Sequence, residues 1–141
     1  MKMESLSGAD LDYWTARSLG YDAEIVAMYG WRYCRIDVYG VGWRPYEPTQ
    51  NELLAARIFS DRFYTVGPAP IADQREHGAA GRVWMAEAQM YPAFNGLQMG
   101  DTPWVAICRL RVAEEISKNA AFRGEYQQRH QEDGCYEQES R

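Results

Sequence analysis

Histidine is scarce in this 141-residue chain: His77 and His130 stand far apart, outside any HxxxH spacing or mixed Cys/His cluster. That excludes the familiar zinc spacings and leaves few bases for a serine or cysteine nucleophile. The three cysteines, Cys34, Cys108 and Cys135, are odd in number and widely separated, so neither a disulfide framework nor a CxxC motif can be read. Cys34 and Cys108 lie in apolar-patterned segments and are expected to be small core residues. A basic excess is also missing. Fifteen Lys and Arg against 20 Asp and Glu leave a formal charge of -5, which argues against non-specific attraction to nucleic acid or anionic lipid. No apolar run approaches membrane-spanning length, and MKMESLSGADLDYW contains no apolar signal core, so a cytoplasmic location is expected. Internal repeats are absent, and YGVGW lacks the full dinucleotide-binding glycine pattern.

Aromatic residues, by contrast, are abundant. They make up 13% of the chain, with ten Tyr and five Trp against four Phe. Rings with a polar tip suit half-buried positions and binding surfaces. The length is that of one domain with a single core, placed here at residues 1–118 and followed by a polar tail over 119–141 that is expected to be flexible unless a partner orders it.

Local patterns predict the elements. In LSGADLDYWTARSLG, Ser7 is expected to cap a helix over Gly8 to Leu19, Leu6 and Leu11 to staple its start, and Gly20 to stop it. WRYCRIDV alternates Trp31, Tyr33, Arg35 and Asp37 with Arg32, Cys34, Ile36 and Val38, the second set forming the expected buried face. Gly30 turns AEIVAMY back on that strand as a hairpin, a short helix over AEIVAM being the alternative. Thr49 and Glu52 form a capping box for a helix ending near Phe59, which buries Leu53, Leu54 and Ile58. FYTVG and RVWMAEAQMY read as strands, and the stretch from Pro68 to Gly81 as an exposed connection. In GDTPWVAICRLRVAEEI, Thr102 caps a third helix and Pro103 occupies its first position. There Trp104, Cys108 and Val112 face inward with Val105 and Ile116, while Arg109, Arg111, Glu114 and Glu115 face out. The sum is an α+β domain: a small antiparallel sheet of about three to four strands with two to three helices on one face.

Candidate chemistry is thin. Asp37, Asp61 and Glu87 are the carboxylates nearest strands, and surface positions account for them. His77 and His130 are expected in solvent, and no catalytic residue, metal or cofactor is implied. Asp101 opposes use of the third helix's N-terminus as an anion site. The best binding candidate is the loop GWRPYEP, where Trp43, Arg44 and Tyr46 bring together residue types enriched at interface hot spots.

The order of segments resembles a NinX-like family of small phage-encoded proteins of unknown function. The resemblance is carried by LSGADLDYWTARSLG, ELLAARI, the Trp84-x-Ala86 strand, and the Gly100-x-Thr102-Pro103 helix entrance followed by Ala106 and Arg109. It implies a phage or prophage accessory protein made in the bacterial cytoplasm. The expectation is a non-enzymatic protein that binds a host protein or complex, with an anti-defence, anti-CRISPR-like inhibitor as one form. A small-ligand or nucleotide-binding module and an enzyme of unidentified class are the second and third readings. The oligomeric state is left open.

Overall fold

Helix α1 (Gly8–Ser18) begins at Ser7 and ends in the left-handed turn expected at Gly20, whose φ is +88°. Two closing bonds, Gly20 N–H to Arg17 O and Tyr21 N–H to Ala16 O, both 3.1 Å, satisfy carbonyls at the helix end. Leu6 and Leu11 are both buried, as a staple requires. The Ser7 hydroxyl, however, caps nothing.

The computed structural model describes residues 3–70, 83–88 and 96–139, with the backbone alone at residue 4 and over 131–139. After a 3₁₀ turn at Met3–Ser5 and α1 come strands β1 (Ala23–Met28), β2 (Trp31–Val38) and β3 (Gly42–Pro45). Helix α2 (Glu52–Arg62) precedes β4 (Tyr64–Pro68), β5 (Trp84–Ala88) and β6 (Leu97–Gly100). Helices α3 (Pro103–Lys118) and α4 (Ala120–Glu139) close the chain. The fold is α+β, but the strands divide into two antiparallel sheets instead of one: β1-β2-β3 and β4-β5-β6. The stretch expected as a connection lies outside the described residues over 71–82, as does His77.

Position α3 explains why one sheet became two. Its Cys108 and Val112 enter a core with Leu11, Trp14, Cys34 and Ile36, formed by α1 and the first sheet. On its other side Ala106, Ile107 and Leu110 pack with Ala55, Ile58, Tyr64 and Ala86, from α2 and the second sheet. Trp104, expected beside Cys108, turns to this second cluster. A helix covered on both sides has little solvent-facing surface. Arg111 and Glu114, expected outside, are therefore 3% and 2% exposed.

These buried charges are paired. Arg111 donates to Glu114 Oε1 at 2.6 Å and to the Ser18 carbonyl at 2.9 Å, and it also pairs with Glu115. Arg62, from α2, pairs with the same Glu114 carboxylate. One ionic network thus joins α2 and α3 to the C-terminal end of α1, and each buried charge has an opposite partner. Arg109 is likewise drawn in, donating to Leu6 O at 3.1 Å and Met99 O at 2.8 Å.

The α3 entrance is built as its sequence indicates. Thr102 Oγ1 accepts from Val105 N at 3.2 Å, with Pro103 in the first turn. At α2 the expected cap is replaced: Asn51 accepts from both Leu53 N and Leu54 N, and the helix runs on to Arg62. Thr49 instead gives its backbone N–H to Asp12 Oδ1 at 3.0 Å. Leu53 is 82% exposed, and Ala55 takes the buried position beside Ile58.

Polar composition after Lys118 suggests a frayed tail, yet this segment forms α4. Phe122 and Tyr126, one helical turn apart, bury their rings against Trp14 at centroid distances of 5.7 and 5.0 Å. Edge-to-face contacts of this kind add to the burial of the rings themselves. The core therefore extends past the boundary drawn at residue 118.

Candidate functional site

Register in the first sheet decides which side chains share a face. β1 and β2 pair Met28 with Trp31, Val26 with Tyr33 and Glu24 with Arg35. β2 and β3 pair Arg35 with Pro45 and Asp37 with Trp43. Directly opposed residues project to the same side. Trp31, Tyr33, Arg35 and Asp37 therefore form the spine of an outer face, flanked by Met28, Val26 and Glu24 on one edge and Pro45 and Trp43 on the other. Cys34 and Ile36 project to the inner side and are buried there beneath α1, whereas Arg32, expected among them, is exposed and pairs with Asp10 at 3.2 Å.

The outer face is unusually apolar for a solvent-facing sheet. Trp31 is 75% and Met28 52% exposed, and Trp43 retains 38% exposure. At the hairpin tip, Tyr29 and Gly30 both have positive φ, +53° and +81°, as a two-residue type I′ turn demands. Glycine accepts that conformation freely, while tyrosine pays for it. The Tyr29 ring is nevertheless presented almost wholly to solvent. Below the tip, Met28, Trp31, Tyr33 and Pro45 line an open groove of about 420 Å³ that Glu47 and Gln50 complete.

Toward the other end the face is polar but internally engaged. Arg35 pairs with Glu24 and lies 4.9 Å from the centroid of the Trp43 ring. A guanidinium over an indole is a favourable cation–π arrangement.

The three residues expected to act together do not converge. Trp43 lies on the outer face; Arg44, paired with Ile36, projects to the opposite side, and its Nη1 donates to the Trp43 carbonyl at 3.0 Å. Tyr46 is buried at 6% exposure and packs against Tyr21 at 5.6 Å. A strand inverts successive side chains, so residues adjacent in GWRPYEP cannot all share one surface. Trp31, Tyr33 and Met28 were the missed members. The signal for Trp31 and Tyr33 was present in WRYCRIDV, since they must face out if Cys34 and Ile36 are inside; Met28 joins them only through its pairing with Trp31.

Nucleophile chemistry finds no support in the core. Burial pushes the Cys34 thiol up to about 12, helped by the charges of Asp12 and Glu47, and burial also raises Cys108 strongly. Neither is a thiolate at neutral pH. Cys135 lies where side chains are not described. Asp37, Asp61 and Glu87 are exposed on three different elements. His130, expected in solvent, is half-buried: its Nδ1 lies 2.7 Å from Tyr126 O and its ring stacks near Trp14. Among the described residues, no group of three His, Cys, Asp or Glu side chains is arranged to hold a metal ion, and no helix is long and apolar enough to cross a membrane.

No protein-family model matches the chain, and no curated protein matches it significantly.

Proposed function

We propose that this protein works by binding another protein, without covalent chemistry, through the outer face of the β1-β2-β3 sheet. The observation that carries the reading is the exposure of Met28 and Trp31, paired side by side at one end of a regular sheet face that carries the partly exposed Trp43 toward its other end. Tryptophan and tyrosine dominate interface hot spots because they bury a large, rigid area at little entropic cost. Contiguous exposed apolar surface on a folded domain is itself a mark of an interaction site. The motif resemblance to the NinX-like family adds a biological setting: a phage or prophage accessory protein acting on a host protein or complex in the bacterial cytoplasm, with inhibition of a host defence as its purpose.

Capture from bacterial lysate with the tagged protein tests the reading when wild type is compared with Trp31→Ala, Trp43→Ala and the double variant. A specific partner is retained by wild type and lost by the double variant, while circular dichroism and Tm stay close to wild type. The same proteins recovered at the same level by wild type and double variant would remove this face from the mechanism.

A further inference from the structure

We propose that the groove below the β1–β2 hairpin receives a cationic side chain of the partner protein, arginine in preference to lysine. The inference rests on the binding reading above and adds the chemistry of the anchor.

Three properties of the groove point to a cation. Its walls are aromatic: Trp31 and Tyr33 stand on one strand, with the Tyr29 ring at the tip. Indole and phenol faces attract cations through their ring quadrupoles, and arginine's planar guanidinium stacks on them. Glu47 is the groove's one charged lining residue. Among the described residues its carboxylate pairs with no cation. A neutral or apolar occupant would strip water from that carboxylate and give it nothing in return, and an anion would meet it as a like charge. Gln50, beside it, offers a neutral amide oxygen as a second acceptor.

The chain's own nearby cations are committed elsewhere. Arg35 is held by Glu24 and Trp43, Arg32 by Asp10, and Arg44 by the Trp43 carbonyl. The Arg35–Trp43 contact places a guanidinium on an indole of this very face, which is the interaction inferred for the groove. A net charge of -5 favours approach of a basic partner over an acidic one.

The full chain, labelled at its tryptophan indoles, is titrated with N-acetyl-arginine amide and separately with N-acetyl-citrulline amide, which has nearly the same shape without the charge. The Trp31 indole resonance, assigned from its loss in Trp31→Phe, reports on the groove. Arginine amide is expected to move it saturably, with citrulline amide roughly fivefold weaker. Glu47→Gln should bring the two probes to similar affinity. Equal affinity of wild type for both probes, an unchanged preference in Glu47→Gln, or an unmoved Trp31 resonance each overturns the inference. The lysate capture separates the two ideas. A partner lost by the Trp31→Ala, Trp43→Ala double variant but fully kept by Glu47→Gln leaves the binding face standing and sinks the cation; a partner kept by both sinks the two together.

Discussion

The carboxylate of Asp12 reaches across the core from α1 to accept the backbone N–H of Thr49 at 3.0 Å. This bond ties the segment before α2 to the first helix. Asp12 is only 2% exposed, and burial pushes its carboxyl up to about 7, against the lowering effect of the Thr49 hydrogen bond and with a further push from Glu47.

A pH dependence of stability follows. The unfolded carboxyl titrates near 3.8 and the folded one near 7, so between these values the native state holds a proton that the unfolded chain has released. The stabilisation is complete below the unfolded value, falls as pH rises between the two and is gone above the folded one, an effect on the order of 4 kcal/mol. Asp12→Asn preserves an acceptor for Thr49 and removes the titration. Urea midpoints measured between about pH 4 and pH 8 should therefore fall for wild type relative to Asp12→Asn as pH rises. Parallel curves for the two proteins would contradict the assignment.

Glu114 carries the second prediction, because one carboxylate serves both Arg62 and Arg111. Removing it leaves Arg111, 3% exposed, with less compensation for a buried charge. Glu114→Ala is expected to cost about 3 kcal/mol, and Glu114→Gln, which keeps an acceptor oxygen, distinctly less. Denaturant unfolding reads both; a loss below about 1 kcal/mol for the alanine variant is incompatible with the network acting as a joint between α2 and α3.

Local periodicity made much of this fold readable, and its limits are equally physical. The β1–β2 hairpin, the stop of α1 and the start of α3 are written in adjacent residues: alternation in WRYCRIDV, Gly20, and Thr102 with Pro103. The division into two sheets is not local. It depends on α3 being covered from both sides, which also explains why Arg111 and Glu114 looked like surface residues. Helix α4 was hidden by its polarity, although Phe122 and Tyr126 at a spacing of four carried its docking stripe. For the candidate site, Trp43 was legible but its company was not, because a loop reading ignores strand inversion and strand pairing alone brings Trp31 and Tyr33 to the same face.

Gly100 shows how tightly the α3 entrance is built. It ends β6 opposite Trp84, and a Cβ added there would lie 2.7 Å from the Ala106 backbone nitrogen and 2.9 Å from a Val105 methyl. The obstructing nitrogen belongs to the helix backbone and is already bonded to Thr102 O, so relief requires strand and helix to part. Gly100→Ala should destabilise the protein by about 2–3 kcal/mol, whereas Gly67→Ala, where an added Cβ meets nothing within 4 Å, should cost distinctly less. Equal melting temperatures for the two variants would refute the close approach.

Tyr29 separates stability from binding. Its left-handed backbone, φ +53°, suits Asn or Gly in a type I′ turn better than tyrosine, and its ring is 95% exposed and therefore contributes almost no burial. Tyr29→Asn is accordingly expected to stabilise the hairpin by about 1 kcal/mol. The same change removes an aromatic wall from the groove and should weaken retention of both the arginine probe and the captured partner. Thermal unfolding and the Trp31 titration on one preparation measure both effects. A variant that gains stability and keeps full affinity would take Tyr29 out of the binding surface, and one that loses stability would show that the ring supports the hairpin in a way its exposure does not account for.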